Sequence, residues 1–214
     1  MQPWTFIAVA DMQPGSPRSF RYDPALTENW HTARKQIVDI NPDLVLIPGD
    51  LTRDGNLHRF EFEEMKEDLD TLPFPYYTVP GNMDTGNKHT DRNGSWAERG
   101  VREGDINLNV TSDQCRQYAE FFGPLFWTTR HKNVRFSGFC DTLCNSGLPE
   151  EEELWRWLDA QVRQPRAEHH VWMMHYAPFI DHPGEGNWDI TDPDHYLDWY
   201  FCVDEPARGR GRGD

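Results

Sequence analysis

A chain of 214 residues with a formal net charge of -15 is long enough for one domain with a substantial core. It is too acidic for a general nucleic-acid binder, which needs surplus Lys and Arg to hold phosphates. No apolar run is long enough to span a bilayer, and Met1-Gln2-Pro3-Trp4 lacks the basic start and apolar stretch of a signal peptide, so no membrane partner is expected and the chain reads as cytoplasmic.

Along the chain, Trp4 to Ala10 is short, apolar and partly β-branched, which predicts a buried opening strand that stops at Asp11. Thr27 can cap a helix with Trp30, Ala33, Ile37 and Ile40 on its inner face, ended by Pro42. Leu44 to Ile47 is the next strand, and Pro48-Gly49 turns the chain before Asp50. A second helix presents Leu57, Phe60, Met65, Leu69 and Leu72 at helical spacing, and Tyr76 to Val79 follows as a third strand. Alternating strands and helices imply parallel strands with right-handed crossovers, whose carboxyl ends gather polar ligands.

From Pro80 to Val110 runs a long polar stretch of the kind that carries function. Thr111 with Gln114 predicts a capping box for a helix burying Cys115, Tyr118, Ala119 and Phe122. Phe126 to Thr128 and Val134 to Phe139, joined by a polar turn at Lys132-Asn133, suggest a hairpin in a second sheet. Glu150 to Gln164 reads as a helix with Leu154, Leu158 and Val162 inward, and His169 to Met174 as a strand ending at His175. Asp192-Pro193 opens a last helix through Tyr196, Tyr200 and Val203. Residues 1–206 are read as one domain and residues 207–214 as a disordered Arg/Gly tail. Cys115, Cys140, Cys144 and Cys202 form no paired CxxC blocks, which fits reduced thiols.

Strands of parallel character thus end in Asp11, Asp50, Asn82 and His175, placing two carboxylates, an amide and an imidazole at one sheet edge. Each has a bland explanation alone, since Asp and Asn are common after Pro-Gly turns. Together they would cost several kcal/mol per uncompensated buried charge unless a cation neutralised them. Oxygen donors with a histidine suit Mn, Fe or Zn, and Gln13 could add its carbonyl oxygen two positions after Asp11.

Asp11-Met12-Gln13, Pro48-Gly49-Asp50, Gly81-Asn82-Met83-Asp84 and His175, in this order, resemble the blocks of the calcineurin-like metallophosphoesterases, over roughly residues 4 to 205. The resemblance implies an α/β fold, a four-layer α/β/β/α sandwich, with two divalent ions bridged by Asp50. Asp11 and Gln13 would serve one ion, and Asn82 and His175 the other. A hydroxide held between the ions would attack a phosphate-ester substrate. This chain departs from the pattern at Gln13, where a histidine is usual although one branch carries glutamine, and at Met83, where the family has the histidine that meets the phosphate. It also has no Gly-His-x-His block, so the fold is expected to lack its C-terminal strands and the site to hold one ion rather than two. The expected function is metal-dependent hydrolysis of phosphomonoesters or phosphodiesters. The alternative is a non-catalytic relative that binds a partner. Residues 81–110 and His182 to Trp188 would line the mouth of the site.

Overall fold

A computed structural model describes residues 3–19, 21–87, 109–144 and 146–176. The tail at 207–214, the helix opened by Asp192-Pro193, Cys202, most of the 81–110 stretch and the segment from His182 to Trp188 lie outside the described residues.

The chain alternates strand and helix as far as its third strand: β1 (Phe6–Ala8), α1 (Pro24–Ile40), β2 (Leu44–Pro48), α2 (Arg59–Leu69) and β3 (Tyr76–Val79). A single turn, α3 (Asn82–Thr85), follows, then α4 (Ser112–Phe122), β4 (Phe126–His131), β5 (Val134–Phe139), α5 (Pro149–Val162) and β6 (His169–Met173). Among the described residues the strands form two three-stranded sheets. β1, β2 and β3 lie side by side and parallel, with Ile7 opposite Val45 and Leu46 opposite Tyr77. In the second sheet β5 pairs antiparallel with β4 and parallel with β6.

Strand alternation decides how the layers stack. Successive β2 side chains point to opposite faces. Val45 and Ile47 pack with Trp30 and Ile37 of α1 and with Phe62, Met65 and Leu69 of α2. Leu44 and Leu46 pack with Val79 against Val134, Phe136 and Met173 of the second sheet. On the far side Leu154 of α5 packs with Val110, Cys115, Cys140 and Leu143. Helices, sheet, sheet and helix therefore lie in order, the sandwich that the resemblance implied. Tyr118 fixes α4 to the first sheet by donating to Thr78 Oγ1 at 2.6 Å.

Several elements differ from the sequence reading. The cap of α1 is Asp23, which accepts from the Ala25 N–H, with Pro24 opening the helix. Thr27 lies one turn inside, and its hydroxyl donates to Gly15 O at 2.9 Å. Among the described residues β1 lies at the edge of its sheet with Phe6 exposed, rather than buried. Ile40, Leu57 and Val162, expected inward, are 57%, 53% and 52% exposed. In α2 the buried aromatic is Phe62, while Phe60 carries the Arg18 guanidinium 4.2 Å above its ring. Gln161, not Val162, turns inward from the last turn of α5, where it accepts from Thr128 Oγ1 at 2.9 Å. The capping box of Thr111 and Gln114 and the turn at Lys132 stand as expected.

Phe62 has no exposure and meets the rings of Tyr118 and Phe122 edge-on at 6.1 and 5.6 Å. Phe62→Ala should cost about 3–5 kcal/mol, read as a lower urea midpoint at unchanged slope. Phe60→Ala should cost under about 1 kcal/mol. Equal losses would contradict this packing.

Candidate metal centre

Every candidate ligand sits where a strand gives way to a turn. After β1, Asp11 and Gln13 have φ of 54° and 41°; after β2, Gly49 and Asp50 have φ of 89° and 51°. Left-handed backbone is unfavourable for residues with a Cβ, so repeated excursions at neighbouring strand ends need external support. The two exits supply it to each other, since the Asp11 N–H donates to Gly49 O and the Gln13 N–H to Asp50 O, both at 3.2 Å. Two glycines leave the space. A Cβ on Gly49 would fall on the His175 imidazole, and one on Gly81 would fall on the Asp50 carboxylate.

The ligand atoms of Asp11, Asp50 and His175 lie within 4.8 Å of one another. His175 Nε2 is 3.4 Å from Asp50 Oδ1 and 3.2 Å from Asn82 Oδ1. His175 Nδ1 is 3.1 Å from Pro48 O, which can only accept, so the proton belongs on Nδ1 and Nε2 faces the cluster. The sequence reading placed all four residues on one sheet. The structure instead takes Asp11, Asp50 and Asn82 from the ends of the first sheet, and His175 from beyond β6 in the second. The cluster spans the seam between the sheets.

Asp50 is held on both oxygens: Oδ1 accepts from the Met83 N–H at 2.9 Å and Oδ2 from Gln13 Nε2 at 2.7 Å. Gln13 Oε1 in turn accepts from Arg53 Nη1 at 2.8 Å. Asp84, the last residue of the Gly81-Asn82-Met83-Asp84 block, has a structural task. Its carboxylate, with no exposure, accepts from the N–H groups of Leu51, Thr52 and Gly81 and from the Thr52 hydroxyl, at 2.9 to 3.1 Å. Asp141, just beyond β5, accepts from the Tyr176 N–H at 2.6 Å and so steadies the segment bearing His175. The rule that polar residues after strands gather at the site could have flagged Asp141 too. Arg21 and Arg53 carried no such signal.

Charge is crowded here. Burial, with the neighbouring Asp11 charge, raises the Asp50 carboxyl above its ordinary range against the pull of His175 and the Met83 N–H. Burial, with the charge of Asp50, pushes Asp84 up to about 7. For His175 burial works toward a lower value, but the carboxylates of Asp50 and Asp141 outweigh it and the imidazole holds its proton more tightly than usual. Without a cation this cluster retains protons. Carboxylate, amide and imidazole donors 3 to 5 Å apart match what one ion with bonds of about 2.1 Å requires. The residues therefore fit a divalent metal.

The sequence matches the family model for calcineurin-like phosphoesterases over residues 5–205. Among solved structures, the purple acid phosphatase PPD1 of yellow lupin (Lupinus luteus) aligns with a TM-score of 0.54 at 16% identity, covering 81% of this chain and 30% of that one. A dimetal phosphatase of Danio rerio aligns with a TM-score of 0.39 at 17% identity, covering 73% of this chain and 52% of that one. The chain thus corresponds to about a third and about half of these two proteins. No curated protein matches it. With the family's pattern along residues 5–205 and a two-sheet α/β fold carrying ligand candidates at its strand ends, the chain belongs to the calcineurin-like phosphoesterase family.

Proposed function

We propose that this chain is a metal-dependent hydrolase of phosphomonoesters or phosphodiesters, working with a divalent ion of the Mn, Fe or Zn type held by Asp11, Asp50, Asn82 and His175. The observation that carries this reading is the meeting of Asp11, Asp50 and His175 within 4.8 Å, with His175 Nδ1 tied back to Pro48 O. Gln13 would add a further oxygen donor through the second lone pair of Oε1, the first accepting from Arg53 Nη1. When bound, a divalent ion neutralises phosphoryl charge and makes water a better nucleophile. The chain's own part is to hold the donors still. Asp50 is clamped on both oxygens, and His175 keeps one tautomer and one ring orientation.

Asp50→Asn keeps a residue that tolerates left-handed backbone and removes the charge. It should weaken Mn uptake by more than about 100-fold, measured by equilibrium dialysis, and take hydrolysis of bis-p-nitrophenyl phosphate to background. Native-like uptake in this variant would refute the proposal. Tight, Asp50-dependent Mn binding with no turnover of any phosphoester would favour the non-catalytic alternative.

The protons held by the metal-free cluster set a pH dependence. Asp84 titrates near 7 in the folded chain against 3.8 for an unperturbed group, so between these values the folded state binds the extra proton and its stability falls as pH rises. His175, raised above 6.5, acts in the same direction, because its protonated form is favoured in the fold and that gain is lost as pH climbs through the folded value. Each proton contributes up to about 1.4 kcal/mol per pH unit. The metal-free chain should melt at a lower temperature at pH 7.5 than at pH 5.5, and Mn should raise the melting temperature more at pH 7.5, since binding expels these protons. A Mn effect independent of pH would contradict the assignment.

A further inference from the structure

Two arginines border the ligand cluster without belonging to it. Arg53 lies three residues after Asp50 and gives an Nη1 hydrogen to Gln13 Oε1 at 2.8 Å, and Gln13 donates in turn to Asp50 at 2.7 Å. Arg21, from the loop after β1, sets Nη2 on Met83 Sδ at 2.9 Å, and the Met83 N–H is the other donor to Asp50, at 2.9 Å. Each guanidinium stands one residue away from the same carboxylate. The pair is also laced together. Arg21 Nη2 donates to Arg53 O at 2.8 Å, and Arg53 Nε donates to Arg21 O at 3.2 Å. Arg21 is anchored from behind by the buried Asp54, whose Oδ1 accepts from its Nε at 2.7 Å.

Holding two guanidiniums side by side is electrostatically unfavourable unless anions face them. Asp54 answers one. Among the described residues Arg53 has no carboxylate partner, and neither Arg53 Nη2 nor Arg21 Nη1 has an acceptor. In a chain of net charge -15, this is a fixed cationic spot with donors to spare beside a cluster of carboxylates. Guanidinium forks suit phosphate oxygens, and a preset pair loses little entropy on binding them.

We propose that Arg21 and Arg53 form an anion clamp that grips the phosphoryl oxygens of a substrate held at the Asp11, Asp50, Asn82 and His175 cluster. The inference rests on the phosphoesterase reading and adds a demand on the substrate. At the ligand cluster the clamp touches a thioether, Met83, and an amide, Gln13. Neither these groups nor a guanidinium releases a proton near neutrality. In the hydrolysis, a water oxygen forms a bond to phosphorus, and the bond from phosphorus to the leaving oxygen breaks. The leaving oxygen keeps the electron pair. The proton of the water passes to solvent, and the leaving group departs as an anion that bulk water protonates afterwards. With these groups, among the described residues, at the leaving oxygen, the substrates that suit this site carry leaving groups stable as anions, such as phenolates or phosphates, rather than alkoxides.

The test uses the full chain loaded with Mn and inorganic phosphate as the probe, followed by calorimetry. Arg53→Ala and Arg21→Ala should each weaken phosphate binding about 10- to 100-fold while Mn affinity stays within about 2-fold. Because Arg21→Ala strands the buried Asp54, Arg21→Lys is measured beside it and should keep the native melting behaviour yet lose at least about 5-fold in phosphate affinity. Native phosphate affinity in Arg53→Ala and Arg21→Lys, with Mn bound, overturns the clamp and leaves the phosphoesterase reading standing. Failure of the native chain to take up Mn refutes both. On a series of aryl phosphates, kcat/KM should fall about 100-fold from p-nitrophenyl to phenyl phosphate. A rate indifferent to leaving-group basicity overturns the demand on the substrate.

Discussion

The Asp84 carboxylate is buried without exposure and takes hydrogen bonds from the N–H groups of Leu51, Thr52 and Gly81 and from the Thr52 hydroxyl. Those donors come from the loops that leave β2 and β3, so one side chain ties together the two turns carrying Asp50 and Asn82. Removing it would strand several buried donors at once, each with its own desolvation cost. Everything nearer the cluster depends on that tie. Gly81 can lie against the Asp50 carboxylate because the turns are drawn together, and the Met83 N–H reaches Asp50 Oδ1 for the same reason.

The second dependence is between the sheets. Apolar packing of Leu44, Leu46 and Val79 against Phe136 and Met173 fixes how the sheets face each other, and His175 follows directly from β6. The imidazole reaches Asp50 and Asn82 only while that packing holds. An ion taken up by candidate ligands from both sheets would cross-link layers that otherwise meet through apolar contact and a few hydrogen bonds, such as that from Trp127 Nε1 to Thr78 O at 2.7 Å. Ion binding by these residues would then be coupled to the integrity of the sandwich in both directions.

Most of the architecture was legible because it rests on periodic signals. β3 runs from Tyr76 to Val79 as read, the Thr111 capping box closes, and Val134 to Phe139 pairs with the strand before it. Misreadings arose where the local pattern has two solutions. Phe60 and Phe62 stand two residues apart in a helix rich in charge, and the first turn does not say which faces inward. Asp23 and Thr27 are both competent caps, and Pro24 settles the choice in favour of the earlier start. The strand ends bearing Asp11, Asp50, Asn82 and His175 were visible, but the sheet supplying His175 was not, since hydrophobic pattern does not record which strands pair. The hydrogen bonds of Gln13, Arg21, Arg53 and Asp84 were likewise invisible, because they depend on distances between loops far apart in sequence.

Positions around the cluster differ in what they contribute, and this bears on how such a site changes over generations. Gly81 is constrained by volume, since any side chain would displace the Asp50 carboxylate. Met83, two residues on, serves Asp50 through its backbone N–H, a service every residue except proline can perform. A lineage can therefore alter the side chain at 83, and with it the chemistry offered to whatever enters the site, without disturbing the carboxylate beneath. The backbone at this turn is the part the geometry constrains, and the side chain upon it is the part left open to revision.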